Sequence, residues 1–213
     1  MPWKIILQNR NLRALMLMYF CCQWANYFFI AWMPIYLQEG RMFLEKDIKG
    51  IIFTLFVVGI AGFLLGGFTG DLLVRKKGLL FGRRFVGMVG LGMCGILIFF
   101  AGILSDNTIA AYCLVAANGF FSFGVMVSYA VCTDIGRNNA GTVTGAMNFF
   151  GQMGAFFLAI IFGKILDLTH NFSYPVFIVA GVMITGCLLW LKIDPTKQVS
   201  IREEDQKKVL MAT

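Results

Sequence analysis

Eleven neutral polar side chains fall at helical spacing inside three otherwise apolar stretches of this sequence. Tyr19, Gln23, Asn26 and Tyr27 form one stripe. Asn118, Ser122, Tyr129 and Thr133 share a second helical face, and Thr144, Asn148 and Gln152, each four apart, share a third. Amides and hydroxyls donate and accept hydrogen bonds without changing charge, so such stripes suit recognition of hydroxyls and carboxylates. An unpaired amide in hydrocarbon costs about 2–7 kcal/mol. A single amide can serve only to bond helix to helix. Three stripes on three elements point instead to a shared polar interior.

Groups for harder chemistry are missing from these stripes. Every Asp and Glu stands at the end of an apolar run, in a connection or in the C-terminal tail. Ion coupling needs a titratable or ion-binding group in the cavity, and this chain supplies no evident one. The single histidine, His170, falls in a connection and reads as a solvated residue. Ser122 and Ser128 have no partner base, which argues against an intramembrane hydrolase. The six cysteines lie within or at the edges of apolar runs, without the paired spacing of a zinc site or a disulfide framework. No enzyme activity, metal site or cofactor is expected.

Composition sets the elements that must position the stripes. Hydrophobic residues make up 59% and charged residues 14%, and the mean hydropathy is +0.77. A soluble domain carries about 25% charged residues. The outside of this molecule must therefore face lipid. A hydrocarbon core of about 30 Å needs roughly 20 helical residues. Six charge-free runs meet that length: Ala14–Leu37, Gly50–Gly70, Phe85–Leu104, Asn107–Thr133, Asn138–Gly163 and Asn171–Leu191. Alternating strand patterns are absent. The expected fold is an all-α membrane protein with six transmembrane helices.

Orientation follows from the basic residues. Fourteen of the 18 Lys and Arg fall on the side of the two termini, and only Arg41, Lys46, Lys49 and Lys164 on the other. Cytoplasmic loops are rich in Lys and Arg, so both ends are expected in the cytoplasm, at the cell's inner (plasma) membrane. The net charge of +7 then reflects topology, not nucleic-acid binding. Residues 1–13 read as a cytoplasmic segment, 14–191 as the transmembrane bundle, and 192–213 as a charged cytoplasmic tail. The tail lacks a useful apolar face and is expected to be disordered or loosely helical.

Two local signals modify this picture. Pro34, near the outer end of the first run, removes a backbone hydrogen bond and should bend or break that end. Glycines at 62, 66 and 70, and at 141 and 145, form small-residue faces for close helix contact.

Three stretches occur in order on successive helices. The first is Tyr27 to Leu37 (YFFIAWMPIYL). The second is Gly66 to Asp71 (GGFTGD), followed by Arg75-Lys76-Lys77-Gly78 and Arg83-Arg84. The third is Asp134 to Gly154. Together they resemble the major facilitator superfamily, and within it the anion:cation symporter family of hexuronate and sugar-acid type. The first looks like that family's seventh helix. The second resembles the second-half copy of its G-x-x-x-D loop motif, with a longer gap before the basic cluster. The third looks like its tenth-to-eleventh loop and eleventh helix.

The resemblance implies a twelve-helix fold in two six-helix halves, of which this chain matches the C-terminal one. Residues 1–13 look like the end of the central loop. A split-gene product, a truncated frame and a fragment all fit. The implied function is half of a secondary active transporter for small organic anions such as hexuronate, aldonate or aldarate. It would work by alternating access, proton-coupled through charged groups in the missing half. Implied partners are the lipid bilayer, the organic anion and an N-terminal six-helix half. Asn26, Tyr27, Asn148 and Gln152 are the first candidates for substrate contact, followed by Ser122, Tyr36 and Trp32. Pro34, Asp71, Arg75 and Arg84 are the candidates for gating; an Asp71 contact with basic residues could bias inward against outward states. The alternative is a non-transporting remnant or scaffold that binds another membrane chain. A homodimer of halves would still lack a coupling group.

Overall fold

Helices run past the charge-free stretches into the charged turns that flank them. The computed structural model describes residues 8–198. Helix α1 begins at Arg10–Tyr27 and continues, through altered turns, to Gly40. Helix α2 is Glu45–Lys77, α3 Leu79–Ile103, α4 Asn107–Gly136, α5 Ala140–Thr169 and α6 Ser173–Leu189. No strand occurs among the described residues, so the all-α expectation holds. Five continuous spans are long and apolar enough to cross a membrane; one of them, Asn107–Thr169, contains both α4 and α5. Most of the expected N-terminal segment and tail, residues 1–7 and 199–213, lies outside the described residues.

Helices α4 and α5 fold back on each other. A straight helix would separate residues nineteen apart by about 28 Å. Yet the Tyr129 hydroxyl donates to Asn148 Oδ1 at 3.5 Å, and Cys132 Sγ to Met147 Sδ at 3.4 Å. The reversal occurs at a 3-10 turn, Arg137–Asn139, where Arg137 takes φ 43°. Elsewhere the connections are short. Gly78 alone joins α2 to α3 at φ 88°, a conformation that side chains resist. Asn9 and Asp106 cap α1 and α4 by accepting backbone N–H groups of the first turn.

Pro34 does not break α1. The chain widens into π turns on both sides of it, Phe28–Trp32 and Tyr36–Gly40. Met33 N–H bonds back to Phe28 O, five residues earlier. A proline removes the donor that would have reached Ile30 O, and the wider turn accommodates the loss. The outer end of α1 is then tied down by Arg41. Its Nε donates to the Tyr36 hydroxyl at 2.7 Å and its Nη1 to Leu104 O at 2.7 Å. Its Nη2 reaches Ala101 O. Leu104 O and Ala101 O belong to the C-terminal end of α3, where a cation also meets the favourable end of the helix dipole. Arg41→Ala is expected to cost about 2 kcal/mol, the scale of charge-assisted hydrogen bonds. A fall in melting temperature with unchanged helical content checks this, and Lys46→Ala on the same side should leave it unmoved.

Helix contacts use small residues. A side chain at Gly62 or Gly66 of α2 would overlap the carbonyls of Gly119 and Phe123 on α4. A side chain at Gly154 of α5 would overlap Phe20 O on α1. The Gly141 and Gly145 face differs from expectation: nothing approaches either position within 4 Å. The close α5 contact lies two turns further along, at Gly151 and Gly154. Helix α2 buries only one stripe and leaves large apolar residues such as Phe53, Leu64 and Phe68 about two-thirds exposed, at 70%, 67% and 70%. Such a face requires lipid or another apolar partner.

Candidate functional site

The three polar stripes are expected to converge, and parts of all three do. A cavity of about 560 Å³ lies between α1, α4 and α5, with Phe63 of α2 at its edge. Tyr19, Gln23 and Asn26 enter it from α1, Tyr129 from α4, and Asn148 and Gln152 from α5. The apolar wall is Phe121, Val125 and Met126 of α4. Counted at 1.5 Å per residue, Tyr19 to Asn26 lie about 14–24 Å along α1, and Asn148 and Gln152 about 12–18 Å along α5. Both helices are about 45 Å long, so these positions lie well away from either helix end.

The polar groups are organised. Tyr19 and Tyr129 hydroxyls share a hydrogen bond of 2.6 Å, and their rings meet edge to face at 5.9 Å. Tyr129 in turn donates to Asn148 Oδ1 at 3.5 Å. A line of hydroxyl, hydroxyl and amide thus crosses from α1 through α4 to α5. Gln23, Asn26 and Gln152 keep amides for a bound molecule, since none of the three bonds to another side chain among the described residues. Among the described residues no charged side chain lines the cavity. It can bind hydroxyls and carbonyls and can orient a carboxylate.

Other candidates sit elsewhere. Tyr27, the last residue of the α1 stripe, is not part of the cavity lining and is exposed, at 38%. Trp32 stacks on Phe162 with centroids 4.4 Å apart. Tyr36 is buried, and its hydroxyl donates to Ala101 O at 3.2 Å. Ser122 faces Gly59 of α2, next to Asn118, whose Nδ2 donates to Leu55 O at 2.9 Å. Asn118 therefore bonds helix to helix.

At the end of the bundle that carries the described termini, the charges form a bridge. Arg83, only 11% exposed, donates from Nη1 to Asp71 Oδ1 at 3.1 Å and from Nε to Asp134 Oδ2 at 2.8 Å. It joins the C-terminal parts of α2 and α4 to the N-terminal part of α3. Arg84 points away and donates to Ile193 O at 2.8 Å. Arg75 is exposed on the last turn of α2, with no ion pair among the described residues. Arg83 and Asp134 both stand within the sequence motifs, but nothing in their spacing pairs them.

The sequence of this all-helical bundle has counterparts among known proteins. The profile of the Major Facilitator Superfamily matches residues 1–159. The chain belongs to this superfamily. It is 29% identical over 192 residues to a hexuronate transporter of Bacillus subtilis (strain 168), covering 88% of this chain and 45% of that protein. It is 28% identical over 209 residues to a probable galactarate/D-glucarate transporter of the same organism, covering 95% and 45%. A probable sulfoacetate transporter of Cupriavidus necator is 27% identical over 206 residues, covering 95% and 47%. The chain spans about half the length of these relatives. The first two names are those of sugar-acid transporters, in agreement with the resemblance, and the third is that of a transporter of another small organic anion.

Proposed function

We propose that this chain is the C-terminal six-helix half of a secondary active transporter for small organic anions of the hexuronate, aldonate or aldarate type. The observation that carries the reading is the neutral cavity, set away from the helix ends. Its donors and acceptors suit the hydroxyl-rich end of a sugar acid, and among the described residues it offers no cation for the carboxylate. The missing cation and the coupling proton site would come from a first half packed against the exposed face of α2. Both termini would lie in the cytoplasm of a cell whose plasma membrane holds the bundle, because fourteen of the 18 basic residues gather on that side.

Within this reading Asn26, Asn148 and Gln152 contact substrate, with Tyr19 and Tyr129 holding Asn148 in place. Arg83, bridging Asp71 and Asp134, would close the cytoplasmic side, and the π turns around Pro34 would let the outer end of α1 move. Asn148→Ala in the completed transporter is expected to raise the apparent KM for glucuronate about tenfold, the worth of one hydrogen bond of about 1.4 kcal/mol. Uptake kinetics at unchanged surface amount check this. An unchanged KM removes Asn148 from the site.

A further inference from the structure

A second polar cavity, of about 460 Å³, opens at the end of the bundle that carries both described termini. Its walls come from the N-cap of α1, the first turns of α3 and the segment after α6. Asn11, 9% exposed, ties two of them together. Its Nδ2 donates to Asp194 O at 2.7 Å, and its Oδ1 accepts from Asp194 N–H at 2.7 Å. Arg84 joins the third wall through its bond to Ile193 O. Bonds between residues so distant in sequence fix the cavity in advance of any ligand.

The lining is strongly cationic. Arg10, Arg84, Lys192 and Lys197 face one carboxylate, Asp194. That carboxylate is already engaged: Oδ1 accepts from Thr196 N–H at 3.1 Å and from its hydroxyl at 2.6 Å, and Oδ2 sits 3.5 Å from Lys197 Nζ. The Thr196 hydroxyl, followed by Lys197, holds its carboxyl below the usual range, so it stays ionised and spent. Arg10 and Lys192 have no ion pair among the described residues. Arg84 commits its Nε but keeps both terminal nitrogens for a forked contact. Gathered cations repel one another, and a compact anion with several acceptor oxygens relieves that repulsion. Basic pockets between helix ends at a membrane surface suit phosphate-bearing headgroups.

We propose that this cavity binds a phosphate group, presented by the headgroup of an anionic phospholipid or as free inorganic phosphate. The inference rests on the membrane reading of the bundle but not on any transported substrate. The full chain, in neutral detergent with any chain that co-purifies, is melted after addition of phosphatidylglycerol, phosphatidylcholine or inorganic phosphate. Phosphatidylglycerol is expected to raise the melting temperature by about 3 °C, and phosphatidylcholine to leave it unchanged. The double substitution Arg10→Gln/Lys192→Gln should abolish the rise while melting normally in phosphatidylcholine. Lys46→Gln/Lys49→Gln, at the other end, should keep it. A rise with phosphatidylglycerol alone assigns the headgroup as the source; an equal rise with inorganic phosphate assigns the free anion. No rise with either phosphate source, or an undiminished rise in Arg10→Gln/Lys192→Gln, overturns the proposal.

Discussion

Gly154→Val is expected to destabilise the bundle by about 3 kcal/mol or more, the upper end of overpacking costs. The reason is that the new side chain would meet backbone. A Cβ at this position overlaps the carbonyl oxygen of Phe20, and neither backbone can turn aside as a flexible side chain would. Helices α1 and α5 must separate, and they carry Gln23, Asn26, Asn148 and Gln152 on facing walls of the cavity. Loss of stability and loss of substrate affinity should therefore appear together. Gly145→Ala is the control. Nothing lies within 4 Å of it, so the alanine gains about 0.5–1 kcal/mol from backbone entropy alone. Thermal melting of the two variants in one detergent should move in opposite directions.

Arg83→Gln should cost about 3 kcal/mol, because breaking a largely buried pair leaves an uncompensated charge. Arg83 is 11% exposed and Asp134 19%, so water screens that contact poorly. Asp71 is 65% exposed, and its loss to Asn should cost less than about 1 kcal/mol. The order of effects, Arg83→Gln well above Asp71→Asn, is the informative result. Replacing both buried partners, as Arg83→Met/Asp134→Leu, should recover much of the loss, since apolar groups of similar volume can stand in for a buried pair. If the bridge also closes the cytoplasmic side, Asp71→Asn should speed labelling, by a maleimide added from that side, of a cysteine introduced at Gln152 in a chain whose native cysteines are replaced, without a matching loss of stability.

Much of this architecture is legible in the residues alone. Charge-free length placed every long helix, although α2 begins five residues before its run and ends seven after it, because charged turns are tolerated at the headgroup level. Helical spacing brought Asn26, Asn148 and Gln152 to one cavity. It failed where the period itself changed. Two π turns interrupt the helix around Pro34, and each shifts the face presented by the residues beyond it, Tyr36 among them. The choice between Arg83 and Arg84 also lay beyond pattern. Neighbours on a helix point about 100° apart, and only the packed positions of α2 and α4 decide which one meets Asp71 and Asp134. The apolar wall of Phe121, Val125 and Met126 carried no signal, since a residue facing a cavity and one facing lipid have the same chemistry. Asn118 shows the reverse case, a polar stripe residue used to bond α4 to α2.

Whether this helical bundle and its neutral cavity make half of a sugar-acid transporter is decided by uptake of labelled glucuronate into vesicles. The chain is inserted alone and together with a six-helix first half from the same genome. Proton-dependent uptake is expected only when both are present, because no charged group lines the cavity among the described residues of this chain. Equal uptake by the chain alone, or no uptake of any sugar acid by the pair when both are correctly inserted, would contradict the transporter reading.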